Sequence, residues 1–199
     1  MRAESKLPLA QRLAEGTLTL GEAFAFMSGL YFRGKLAYAM RFAPDRAYVI
    51  TPTRGLLPPQ TPLTPAIVRE FAQVDVCADD HRYRRPLKRS LRDLTRDLAP
   101  EATVVLLGSI ATGKYVDVLK NALGPRLHFP SDFVGRGDMS RGGLMLRSAA
   151  AGVELEYTAF GSDVVRHGAR PAKLPKAGEA EARVMRLMGL RPEPGFRSS

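Results

Sequence analysis

The sequence predicts an α/β fold, a three-layer domain with a mostly parallel sheet of about four strands flanked by helices. Three observations carry that expectation. Segments of helical and strand periodicity alternate along the chain, the pattern of a sheet covered by helices. Thr103 to Leu107 (TVVLL) is a continuous apolar run, as in a strand buried on both faces. That run ends at Gly108 and leads directly into a helical segment, as in a strand–turn–helix unit.

The elements follow in order. Residues 20–43 read as a helix in one or two pieces, with Phe24, Met27 and Tyr31 on one stripe and Phe32, Leu36, Ala39 or Met40, and Ala43 on another. Gly29 and Gly34 weaken its middle and mark a break, and Pro44 stops it. Ala47 to Thr51 is a strand by its β-branched and aromatic content. Thr17 to Leu20 carries a weaker strand signal. Residues 52–65, rich in Pro, Thr and Leu, read as an irregular loop. A short helix covers 66–72. Tyr83, Leu87, Leu91, Leu94 and Leu98 then recur at steps of four, four, three and four, an apolar helical stripe, with Pro86 placed in the first turn.

After the 103–107 strand, residues 114–123 form a helix with Tyr115, Val118 or Leu119, and Ala122 inward, closed by Gly124-Pro125. Residues 127–129 are a strand, 131–143 a glycine-rich loop, 144–151 a helix, and 153–158 a strand in which Glu154 and Glu156 point together to solvent. These residues, 1–167, make a single α/β domain. Residues 168–199 read as a linker, a helix over 178–190 and a loose tail.

Composition narrows the function. The chain has 199 residues, 30 Lys and Arg against 20 Asp and Glu, and a net charge of +10. One Cys excludes a disulfide framework and a multi-cysteine zinc site, and Cys77 reads as a small buried hydrophobe. His81, His128 and His167 lack metal-ligand spacing, so no metal or cofactor is expected. No run is long enough for a membrane span, and the N-terminus lacks the apolar core of a signal peptide, so a reduced cytoplasmic setting is expected. The positive balance favours an anionic partner. Because residues 1–60 already carry 8 basic and 4 acidic side chains, the excess is spread and forms no basic arm.

Its densest stretch is Arg82 to Arg92, with six basic residues and no acid. Arg85, Arg89, Arg92 and Arg96 lie on one helical face, where guanidinium groups a turn apart could meet successive phosphates. The same face could instead be solvated, with Asp93 and Asp97 supplying local ion pairs.

Three segments could carry chemistry. Gly108-Ser-Ile-Ala-Thr-Gly113-Lys114 matches seven positions of the phosphate-binding G-x-x-x-x-G-K-[ST] loop, with Tyr115 where the Mg²⁺-binding Ser or Thr belongs. Its Gly108, Ser109, Thr112, Gly113 and Lys114 are candidate phosphate contacts; a tight strand–helix turn without a ligand is the competing reading. The loop from Leu127 to Gly143 offers Arg136 and Arg141 as phosphate forks, and Asp132 and Asp138 as weak catalytic candidates. Asp138 or Ser140 would serve equally as a helix cap. Finally, Arg54 is the one charge in the loop after the first strand and a further ligand candidate. Loops 51–58, 108–114 and 130–143 should share one sheet edge, where open α/β sheets bind ligands.

Two stretches carry a resemblance. Tyr31 to Ala39, Ala47 to Thr51 and Gly55 to Pro59 together resemble an uncharacterised bacterial α/β domain family. The run VVLLGSIATGKYVDVL followed by HFPSD, with Gly108, Ala111, His128, Pro130 and Ser131 as its marker positions, is similar to the uracil-DNA glycosylase-like superfold. The resemblance implies an α/β domain associated with DNA repair or modified nucleosides. Phe129 separates His128 from Pro130, a departure from the His-Pro-Ser order.

The combined expectation is a protein that interacts with nucleic acid or a nucleotide and acts in DNA or RNA repair or nucleobase modification. Arg85, Arg89 and Arg92 would extend its basic surface. A P-loop-like phosphotransferase and a non-catalytic scaffold are the alternatives.

Overall fold

A computed structural model describes residues 6–77, 79–110, 113–161, 168–169 and 171–172. The expected helix over 178–190 and the tail lie outside the described residues. Mixed α/β character is present, with helices and strands interleaved along the chain.

The sheet differs from the expectation. The described strands form two small sheets, one of two strands and one of three. Strands β1 (Val49–Thr51) and β2 (Gly55–Leu57) make an antiparallel hairpin. Strands β3 (Val104–Val105), β4 (Leu127–Pro130) and β5 (Tyr157–Ala159) make the second sheet in that order. Only the β3–β4 pair is parallel, and β5 runs antiparallel to β4. The first strand therefore does not join the main sheet. The reason is the turn that follows it. Gly55 adopts φ +67, the left-handed conformation that closes a three-residue hairpin loop. The fully buried Thr51 hydroxyl donates to the Gly55 carbonyl at 2.9 Å and accepts the Arg54 N–H at 3.2 Å. The Pro-rich stretch read as an irregular loop thus contains β2.

Helix α1 spans Lys6–Ala14 and α2 spans Leu20–Phe42. Thr19 caps α2 in a reciprocal capping box with Glu22, a device whose cap residue is typically worth about 1 kcal/mol. Thr19 pairs with Pro62 only as an isolated bridge, so the strand signal at 17–20 gives no strand. Gly29, at φ 63 and ψ −143, breaks α2 where the sequence placed a break; Gly34 does not. Helix α3 (Pro65–Ala72) starts with Thr64 as cap and Pro65 in its first turn.

Helix α4 (His81–Asp97) buries Tyr83, Leu87 and Leu91 completely, as its stripe predicts. Its cap is Asp80, so Pro86 falls in the second turn instead of the first. The Pro86 carbonyl and the Ser90 hydroxyl crowd Gly55, and Ser90 accepts the Leu56 N–H at 3.2 Å. A side chain at Gly55 would push the hairpin off α4.

Helix α5 (Gly113–Leu123) connects β3 to β4, the expected parallel crossover. Helix α6 runs from Asp138 to Ala151, six residues earlier than its predicted start at 144. Gly142 and Gly143 belong to that helix, not to a loop. Gly142 is there for closeness, since a Cβ on it would lie 2.8 Å from the Leu30 carbonyl and 2.9 Å from Tyr31 Cα. A Cβ on Gly34 would meet the Gly142 carbonyl at 2.5 Å. The two helices touch at backbone distance, which larger residues would forbid.

Two apolar clusters result. The larger packs α4, α5, α6, the β3–β4–β5 sheet and Tyr38 of α2 around Phe129, Phe133, Leu127, Ile110 and Met145. The smaller holds Leu18, Leu20, Ala23, Val49, Leu63 and Phe71. The hairpin lies between them: Val49 and Leu57 pack with the small cluster, Ile50 and Leu56 with the large one, following the two-residue alternation of a strand.

Candidate functional site

The loops after β3 and β4 leave the same end of a parallel pair, so two of the three expected loops do meet at one edge. The 51–58 loop does not, because β1 lies in the other sheet.

The second half of α2 lines this edge. Tyr31 donates its phenol to the Leu107 carbonyl at 3.2 Å, tying α2 to the end of β3. One turn later, the Lys35 ammonium sits 3.8 Å from the centroid of the Tyr31 ring and 5.9 Å from that of Phe32. From α6, the Arg141 guanidinium, only 6% exposed, donates to the Phe133 carbonyl at 3.2 and 2.9 Å and lies over the Phe133 ring. Its remaining nitrogen is 3.7 Å from the Asp138 carboxylate, which stays well exposed. From α5, Tyr115 accepts the Ser109 N–H at 2.6 Å.

The electrostatics follow from burial. Burial, opposed by Asp138 and aided by Arg141, brings the Lys35 amine down to about 8. Burial likewise raises the phenols of Tyr31 and Tyr115. Tyr83, fully buried, has a raised phenol for the same reason, with Tyr115 adding to it, and its hydroxyl has no hydrogen-bond partner. Lys35, Tyr31 and Tyr115 thus place burial-shifted titratable groups together at the sheet edge, which makes it a candidate site.

The residues singled out in the sequence have varied placements. Gly108 and Ser109 form the turn after β3, but Tyr115 fills the position against them. A Cβ on Gly108 would lie 2.8 Å from the Tyr115 hydroxyl, which already holds the Ser109 amide. The residue that replaces the motif's Ser or Thr thus takes up a backbone donor that a phosphate loop would present. Thr112 and Ala111 lie outside the described residues. Gly113 begins α5, and Lys114 is exposed. Arg136 turns back on its own loop, donating to the Asp132 carbonyl at 2.8 Å with the Asp132 carboxylate at 3.5 Å. Asp132, itself exposed, is therefore the partner of the largely buried Arg136 side chain. Asp138 opens α6, where a carboxylate suits the helix dipole, and Gly137 is the cap. Arg54 is held by Glu70 of α3 through contacts of 3.1 and 2.7 Å, and does not face the sheet edge. His128 contacts the Arg126 carbonyl through Nδ1 at 3.1 Å, while the Ser131 hydroxyl meets that of Thr158 at 2.7 Å. Cys77 is exposed, contrary to the expected burial. Glu154 and Glu156 are both exposed, as expected, but they precede β5, which starts at Tyr157 and not at 153, and Glu154 accepts the Tyr157 phenol at 3.0 Å.

Arg85, Arg89 and Arg92 are exposed on α4, and among the described residues none of them has a carboxylate within ion-pair distance. Asp93 pairs with Arg96 at 3.4 Å instead of with Arg89, and Asp80 takes Arg82 at 2.7 Å. His81, Arg82, Arg85, Pro86 and Arg89 line an open depression on this face.

Sequence reading missed Lys35, Tyr31 and Tyr115 as site residues. The only sequence signal for Lys35 is its place four residues after Tyr31 and next to Gly34, the small residue that lets α6 approach. No family model, curated protein or solved structure gives a significant match to the chain.

Proposed function

We propose that the protein binds nucleic acid through the exposed face of α4. One observation carries the reading. Arg85, Arg89 and Arg92 stand one turn apart on a helix whose opposite face is fully buried, and the acids nearby are paired to other arginines. A rigid row of unpaired guanidinium groups suits a repeating phosphate backbone better than a single small anion. The net charge of +10 supports the same partner through long-range attraction. The resemblance to the uracil-DNA glycosylase-like superfold is consistent with this partner, and repair or nucleobase modification is the process it suggests.

The test is retention on single-stranded and duplex DNA and on RNA across a salt series. Binding should weaken steeply with salt, because each neutralised phosphate releases counterion. The triple charge reversal R85E/R89E/R92E should lower the slope of log K against log salt by about 3 on duplex DNA. R69E on α3, also exposed, should change it by less than about 1. No retention on any nucleic acid at about 50 mM salt, or a triple variant that binds like the parent, sinks the reading.

A further inference from the structure

We propose that Lys35 and Arg141, brought together at the edge of β3 and β4, form a binding site for a phosphate group of a small molecule.

The argument begins with an imbalance of charge. Lys35 and Arg141 contribute two cations to the group and Asp138 one anion. Arg141 is already anchored by the Phe133 carbonyl and faces Asp138. Lys35 is not anchored in this way. Its ammonium carries three donors, and among the described residues it makes no ion pair; it lies over the ring face of Tyr31 at 3.8 Å. A cation drawn out of water without a counter-ion is costly, and an arriving oxyanion removes that cost.

The location fits the same ligand. It lies beyond the C-terminal ends of a parallel strand pair and beside the first turn of α6, where the helix dipole adds positive potential. Every element packed here contributes a group that bears on the charge: Tyr31 and Phe32 from α2, Asp138 and Arg141 from α6, and Tyr115 from α5 acting on Tyr31. Burial lowers the Lys35 ionisation, and an anion bound beside the amine would raise it. Phosphate is favoured over a carboxylate because its oxygens offer a separate acceptor to each Lys35 donor, which the two oxygens of a carboxylate do not.

The site uses none of the α4 arginines, so it stands or falls apart from the nucleic-acid reading. The experiment follows Lys35 directly in the full-length chain. Lysine amines are ¹³C-dimethylated, and their NMR signals are titrated with pH at constant ionic strength, with and without saturating inorganic phosphate. K35Q identifies the Lys35 signal by its loss. That signal should titrate near 8 without phosphate and about one unit higher with it, a tenfold preference of phosphate for the charged amine. By calorimetry on unmodified protein at about pH 7, phosphate should bind K35Q at least about tenfold more weakly than the parent, and K35R should recover most of the affinity. R85E/R89E should leave the shift intact. A 5′-mononucleotide that binds more tightly than inorganic phosphate would identify a nucleotide as the source of the group. Equal affinities would identify free phosphate. A Lys35 signal that phosphate does not move, a shift reproduced by chloride, or unchanged binding by K35Q overturns the proposal.

Discussion

The two halves of α2 are built on opposite principles. Before Gly29 the helix packs on the small cluster of Leu18, Leu20, Ala23 and Leu63, and its end is fastened by surface groups. Glu22 there gathers the Thr19 N–H, the Thr19 hydroxyl and the Arg12 guanidinium at 2.8 to 2.9 Å. After Gly29 the helix lies against α6 at backbone distance, and its polar groups reach inward. Tyr38 accepts the Leu155 N–H at 2.9 Å and meets the Tyr157 hydroxyl at 2.5 Å, and Tyr157 donates to Glu154. The charges that fasten the first region, Arg12 and Glu22, are paired and remain wet. Charges in the second are drawn into the protein and leave a positive excess around Lys35. The difference separates a region that stabilises the chain from one with unspent binding capacity.

The same contrast gives two glycines of one helix different work. Gly34 supplies space and Gly29 supplies conformation. Substitution at the tight contact should have the largest effect. Gly142→Val, or Gly34→Val, should cost about 3 kcal/mol, the upper part of the overpacking range, because the neighbouring atoms are backbone and cannot rotate away. Urea denaturation measures it, and a loss below about 1 kcal/mol would show that the helices can separate cheaply. The Lys35 response to phosphate should disappear as well, since that contact sets the distance from α2 to Arg141.

Gly29→Ala should have a smaller effect of a different kind. No atom lies within 4 Å of a Cβ placed there, so no clash contributes. The cost is backbone strain alone at φ 63, about 1–3 kcal/mol. A neutral or stabilised variant would mean that α2 is continuous in solution and that the two regions are not separated at this point.

The sequence made some of this legible and hid the rest for physical reasons. The α4 stripe, the β3–α5–β4 crossover and the break in α2 all express short-range periodicity or turn chemistry, and all were readable. The hairpin was not, because strands of three residues with Pro on both sides carry too little pattern. The start of α6 was misplaced because Gly142 and Gly143 resemble a loop locally. Only the contact of Gly142 with Leu30 and Tyr31, more than 100 residues away in sequence, shows that it is a packing residue. The candidate site suffered most. Arg54 and Arg136 look free in one dimension and are paired in three, whereas Lys35 looks ordinary until α6 closes over it.

The weakest expected effect lies in the small region and depends on acid. Arg12 and the Thr19 amide hold the Glu22 carboxyl down to about 2, and Arg54 and Thr53 do the same for Glu70. In the unfolded chain both titrate near about 4.3. A carboxylate depressed by folding stabilises the fold above the unfolded value, and that contribution is lost as pH falls toward the folded one. Stability should therefore decline between about pH 5 and pH 2, by less than about 1 kcal/mol per pair because both pairs are solvated. Urea midpoints across that range should fall less steeply in E22Q and E70Q than in the parent, and carboxyl ¹³C shifts should place the two folded midpoints well below the ordinary glutamate value. If E22Q and E70Q keep the parent's full acid dependence, the fastening of the small region comes from its apolar contacts, and its matched surface charges contribute nothing measurable.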